Sequence, residues 1–100
     1  MPYAIVVNEL AADEISALRR FDQQQIVAAM EQHLADEPAT PTRRRKCLVG
    51  LIPSFEHVLP VWELRVGQFR VFYDIDEQAA TVNVRAVRRK QPPQRTQDIT

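Results

Sequence analysis

Cysteine is almost missing from this sequence. Cys47 stands alone in 100 residues, so no intramolecular disulfide can form and a reducing, cytoplasmic setting is expected. There is no CxxC and no Cys/His cluster, which argues against a structural zinc site, and no metal or cofactor is expected. No apolar run approaches the ~20 residues that a spanning helix needs, so no membrane role is expected. The opening Met1-Pro2-Tyr3 has no basic region ahead of an apolar one, so no secretory signal is expected. Net charge is also zero, thirteen bases against thirteen acids. What remains is ordinary for a globular domain, 45% hydrophobic and 26% charged, and long enough for one core without staples.

The zero net charge hides an asymmetry. Residues 1–42 carry two arginines against seven acids, a net of −5, while the remainder carries eleven bases against six acids, a net of +5. A basic half joined to an acidic half suggests that the second half meets a polyanion; acids resting on helix surfaces give the same totals. The acids of the first half do fall on helical patterns. Tyr3–Val7 reads as a strand, with Asn8 as a cap for the helix after it. Ala11–Arg20 reads as that helix, with Ile15 and Leu18 inward, acids early and arginines late, as the helix dipole prefers. Asp22 with Gln25 resembles a capping box for a second helix to about Ala35, with Ile26, Val27, Met30 and Leu34 on its buried face and His33 beside it.

Asp36–Pro60 has little pattern and four prolines. It contains Arg43-Arg44-Arg45-Lys46, four adjacent cations that cannot all be paired locally. Such runs often contact phosphates, and a solvated basic loop fits equally. Cys47 comes next as a small, partly buried apolar residue. Then comes Val61–Asp76, two β-type runs around Gly67-Gln68, a pair suited to a type II′ hairpin turn. That turn sets Val66 opposite Phe69, Leu64 opposite Val71 and Trp62 opposite Tyr73 on an apolar face. It sets Arg65 opposite Arg70, Glu63 opposite Phe72 and Val61 opposite Asp74 on the other. Facing arginines destabilise a ladder and ask for an anion; Glu63 and Asp74 could also neutralise them as a solvated cluster. Thr81–Arg89 alternates as a further strand, with Val82, Val84 and Ala86 expected inward and Arg85 expected to join Arg65 and Arg70. Arg88-Arg89-Lys90 ends it, and Gln91-Pro92-Pro93-Gln94 cannot continue it. The expectation is an α+β domain of two layers over residues 1–90, order β-α-α-β-β-β, an antiparallel sheet covered by a helical hairpin, with 91–100 a flexible tail.

The hairpin Trp62-Glu63-Leu64-Arg65-Val66-Gly67-Gln68-Phe69-Arg70-Val71-Phe72-Tyr73-Asp74-Ile75-Asp76 resembles the central hairpin of RelE/ParE-family toxins of bacterial type II toxin–antitoxin pairs. The N-terminal strand, the helical hairpin, the basic-x-Leu element Lys46-Cys47-Leu48 and the Val-rich final strand agree with that family, over nearly the whole chain up to Lys90. The resemblance implies a two-layer RelE/ParE-like fold, a cognate antitoxin as partner, and one of two activities. RelE-like members cut mRNA on the ribosome without metal; ParE-like members poison DNA gyrase and cut nothing. A degenerate toxin that keeps only antitoxin binding is a third possibility. In the nuclease branch the arginine of the aromatic-Arg-apolar-aromatic strand, here Arg70, stabilises charge at the scissile phosphate. The chemistry needs cations for the phosphorane, for which Arg65, Arg70 and Arg85 are placed, and a base, for which Glu63 is the candidate. Arg43, Arg44, Arg45, Lys46, Arg88, Arg89 and Lys90 are the candidate nucleic-acid contacts. Many nuclease relatives carry a Tyr or His just after the last strand, and some an acid near the loop leucine; this chain has neither.

Overall fold

The computed structural model describes residues 2–100. In chain order these form β1 (Ala4–Val7), α1 (Glu9–Ser16), α2 (Arg20–Leu34), β2 (Arg45–Cys47), β3 (Trp62–Val66), β4 (Phe69–Asp76), β5 (Thr81–Arg89) and a 3-10 turn at Thr96–Asp98. The strands make one five-stranded sheet, β1-β5-β4-β3-β2. β1 lies parallel to β5 and every other neighbour is antiparallel. The expected order β-α-α-β-β-β is present, with the short β2 added ahead of the hairpin. No helix is long and apolar enough to cross a membrane among the described residues.

Gly67 fixes the register. Its φ is +57° while Gln68 keeps an ordinary negative φ, the combination that distinguishes a type II′ turn from a type I′ turn. Val66 then pairs with Phe69, Leu64 with Val71 and Trp62 with Tyr73. All six are buried, and the Trp62 and Tyr73 rings stack with centroids 6.3 Å apart. Against them pack Ala11, Ile26, Met30 and Leu34, with Ile15 and Leu18 at the margin. Val27 departs from expectation: it is 39% exposed, since α2 turns a narrower stripe to the sheet than its apolar pattern suggests.

The helix boundaries also differ. α1 begins at Glu9 and ends by Ser16, and α2 begins at Arg20, so Asp22 lies inside the helix and opens no capping box. Asp22 is buried and accepts from Arg19 Nε at 2.9 Å. The end of α1 is closed by Gln23, whose amide donates to Leu18 O at 2.8 Å and Ser16 O at 3.3 Å. Asn8 stands at the cap position of α1 without a side-chain cap bond.

Tyr73 shows how the core is sealed. Its hydroxyl donates to Pro38 O at 2.7 Å and burial raises its pKa far above the usual tyrosine range. In the unfolded chain a tyrosine ionises near pH 10. The folded state keeps Tyr73 neutral beyond that, so this stability is full below about pH 10 and drains away as pH rises through the folded value. Tyr73→Phe should cost about 1 kcal/mol at neutral pH, the worth of one hydrogen bond, and should lose less than wild type above about pH 10. Denaturant titrations across that range test it; parallel losses in the two proteins would refute the assignment.

The second face of the sheet, read as the charged side of the hairpin, also carries an apolar cluster. Between Phe72 and Tyr73 the β4–β5 register slips: Phe72 pairs with Ala86, Tyr73 with Val84, and Arg85 is the extra residue of a β-bulge. The bulge inverts the alternation beyond it. Ala86 therefore joins Phe72 on the second face, while Val87 joins the helix-side core. On the second face Phe55, Val61, Phe72, Ala86 and Ile99 make a small core of their own, with Leu48 against it. The segment 48–61 covers the sheet from one side. The C-terminal segment, expected to hang free, covers it from the other: Ile99 is buried, Ser54 N and Oγ donate to Thr100 O at 2.8 and 2.7 Å, and Arg88 Nη1 donates to Ile99 O at 3.1 Å.

Candidate functional site

The hairpin carries its charged residues toward the Gly67 end of the second face, just where that cover stops. There a cavity of about 260 Å³ opens, lined by Arg43, Arg44, Lys46, Glu63, Arg65, Arg70, Lys90 and Thr96. β2 delivers Lys46 by pairing it with Glu63. The β3–β4 register places Arg65 opposite Arg70. Lys90 is brought over by continuing the ladder, its N–H donating to Gln68 O at 2.7 Å. Six cations thus surround one buried carboxylate, Glu63, which is 4% exposed.

Glu63 is held on both oxygens. Lys46 Nζ lies 3.5 Å from Oε1, and Thr96 Oγ1 donates to Oε2 at 2.8 Å. Arg70 is anchored on one nitrogen only: Nη1 donates to Gly67 O at 2.9 Å and to Phe69 O at 2.8 Å. Its Nε–Nη2 edge makes no hydrogen bond among the described residues and remains a free two-pronged donor, the shape that matches a phosphate or carboxylate. Partial burial lowers the Arg70 pKa, Glu63 raises it and Arg65 lowers it again; a guanidinium stays charged through such shifts. Arg43, Arg44 and Arg65 have no ion-pair partner among the described residues. Clustered cations without counter-charge make a strongly anion-attracting cleft.

Of the candidate residues, Arg65, Arg70, Glu63, Arg43, Arg44, Lys46 and Lys90 meet in this cleft; the other four do not. Arg85 is bonded instead to Asp74, with Nε–Oδ2 at 2.7 Å and Nη2–Oδ1 at 3.2 Å. Arg45 is buried and donates through Nε to Thr40 O at 3.0 Å and through Nη1 to His33 O, closing the C-terminal end of α2 where the helix dipole favours a cation. Arg88 is ion-paired with Glu14 and lies over the Phe55 ring. Arg89 points to the helix side, 4.7 Å from the Phe69 ring centroid and bonded to Gln68 Oε1 at 2.9 Å. Thr96 is the lining residue that sequence reasoning missed. Its one signal is Ile99, a lone apolar residue in a polar tail, which anchors the segment that carries Thr96 to Glu63.

A larger hollow, about 600 Å³, lies on the helical hairpin and is lined by Ile15, Arg20, Gln23, Gln24, Val27, Ala28 and Glu31, with Phe21 exposed on the same helix at 64%. It lacks the cationic cluster of the smaller cleft. No group of three or more His, Cys, Asp or Glu that could hold a metal ion occurs among the described residues.

A family model described as the ParE toxin of the type II toxin–antitoxin system, parDE, matches residues 5–91. Among solved structures, a chain of the toxin–antitoxin complex RelBE2 from Mycobacterium tuberculosis is similar at a TM-score of 0.66 and 23% identity, covering 90% of this chain and 100% of that one. A chain of the archaeal RelE–RelB complex from Pyrococcus horikoshii OT3 is similar at a TM-score of 0.70 and 14% identity, covering 92% of this chain and 99% of that one. At those identities the likeness is one of fold. The curated protein sequences gave no significant match.

Proposed function

The chain belongs to the ParE toxin family of type II toxin–antitoxin systems, and on that premise we propose that its cleft takes RNA phosphate and that the toxin cuts mRNA on the ribosome. The observation that carries this reading is the ring of six cations around buried Glu63. In the proposed reaction Glu63 takes the proton of a ribose 2′-hydroxyl, whose oxygen attacks phosphorus. The bond to the 5′-oxygen breaks, and that oxygen takes a proton from a lysine ammonium of the cleft. Arg65 and Arg70 hold the phosphorane, whose charge exceeds that of the ground state. The partner is a cognate antitoxin. An acidic segment suits the cleft, and an apolar helix face suits the hollow beside Phe21 and Val27.

A second reading, inhibition of DNA gyrase by binding alone, is favoured by one specific observation. No His or Tyr lines the cleft, and its single carboxylate is already engaged by Lys46 and Thr96. One experiment separates the readings. Induction without antitoxin should arrest growth, co-expression of the neighbouring antitoxin gene should relieve the arrest, and primer extension should reveal new mRNA ends inside coding regions. Arrest without new ends, accompanied by DNA breaks, would replace the nuclease reading with the gyrase one.

A further inference from the structure

The cleft does not end at Arg65. A second hollow of about 450 Å³, lined by Arg43, Arg44, Arg65 and Gly67, shares three of its residues with the cleft. A third, of about 310 Å³, shares Arg44 and Gly67 with the second and reaches the side of α2. The three lie in a row around the tip of the hairpin, and their character changes along it. The first two are walled by cations. In the third, Ala28, Ala29, Val66 and Gly67 are the small or apolar lining residues, and Gln25, Gln32 and His33 supply hydrogen-bonding groups. Gln25 and Gln32 are exposed, and neither side chain makes a hydrogen bond among the described residues.

We propose that this third hollow is a nucleobase subsite, which holds an unpaired base of a single-stranded RNA whose backbone runs past Arg44 and Arg43 into the cleft. The inference rests on the RNA reading of the cleft and adds a place for sequence preference. Phosphates carry affinity but no sequence, whereas base edges are read by amide and imidazole groups over an apolar floor. A glutamine amide offers a donor and an acceptor side by side, the pattern that matches a base edge. Burial, then the neighbouring Arg44 and Arg45, lower the His33 pKa, so its ring favours the neutral form, with one donor and one acceptor. An acidic peptide would be drawn to Arg44 but would find no cation at Gln25, Gln32 or Ala28, so charge complementarity favours a base at the far end of the row.

The test measures binding of 2′-O-methyl RNAs, which cannot react at the 2′-oxygen, to purified wild-type toxin and to a Gln25→Ala/Gln32→Ala/His33→Ala variant. A dinucleotide occupies the cleft alone, and an oligomer of about six nucleotides spans the row of hollows to the hairpin tip. The variant should bind the short RNA as wild type does and the long RNA about tenfold more weakly, with its base preference flattened. Equal binding of the long RNA by both proteins would overturn the subsite and leave the cleft reading intact. Equal weakening toward both lengths would overturn it as well. Binding of neither RNA by wild type would overturn the subsite together with the RNA reading. Loss of antitoxin affinity with RNA binding unchanged would reassign the hollow to protein docking. Gln25 and Gln32 are exposed and His33 is half-buried; thermal melting should coincide with wild type, and a double variant, Gln25→Ala/Gln32→Ala, keeps the test available if it does not.

Discussion

Asp74→Ala is expected to destabilise the protein by about 3–5 kcal/mol, the range for breaking a buried ion pair by removing one partner. Asp74 is 1% exposed and is a hub of four hydrogen bonds. It accepts two from Arg85, one from Asn83 Nδ2 at 3.3 Å and one from Val58 N at 2.8 Å. Removing it strands Arg85, whose side chain is 11% exposed, with only the exposed Glu56 at 3.2 Å. That surface partner cannot replace a desolvated bidentate one. It also frees Val58, and with it the segment that covers the second face. Domains of this kind hold about 5–15 kcal/mol in total, so the loss should show as a large fall in the denaturant midpoint. Arg85→Met in the same background should restore much of it, because the uncompensated charge goes too. A loss near 1 kcal/mol, within the range of surface pairs, would show that the pair contributes little.

The same bulge explains what was legible in the sequence and what was not. The hairpin was legible because β3 alternates strictly, β4 repeats Phe69, Val71 and Tyr73 on one face, and Gly67 announces the turn; once register is known, faces follow. Thr81–Arg89 alternates just as cleanly, yet the extra residue at Arg85 reverses the phase of Ala86 and Val87. Nothing local in Val84-Arg85-Ala86 marks a bulge. At the bulge Arg85 is bonded to Asp74 on the neighbouring strand, a tertiary contact that no local pattern encodes. Arg45 reads with its three neighbours as a phosphate contact for a similar reason. Adjacent cations look alike in sequence, but only Arg45 sits where strand geometry aims it at the end of α2. The cover formed by 48–61 and 95–100 is tertiary throughout, joined by Ser54, Thr100, Phe55 and Ile99, and no periodicity predicts it. The legible members of the site lie on the hairpin, on β2, or just outside the ends of β2 and β5. The one that was not legible, Thr96, comes from the tail.

Arg70→Ala is expected to abolish growth arrest while the protein stays folded and still captures its antitoxin. In the cross-strand pair Arg65–Arg70 two like charges oppose each other, so removing one relieves repulsion and should not weaken the sheet. The loss should fall on function. Gly67 O and Phe69 O fix the guanidinium by Nη1, which holds Arg70 in the cleft lining with its Nε–Nη2 edge free before any ligand arrives. A fixed donor at a developing charge needs little reorganisation, and losing one such donor lowers rates by about 10²–10³. Primer extension of induced cells should therefore show mRNA ends reduced by about that factor. Arg70→Lys should not rescue, because an ammonium is a point charge that cannot present two parallel donors. Arg85→Lys should lower stability by losing the bidentate pair to Asp74 but leave cleavage by the folded protein largely intact. Wild-type toxicity in Arg70→Ala would remove Arg70 from the site, and full rescue by Arg70→Lys would show that charge alone, without the fork, is what the cleft supplies.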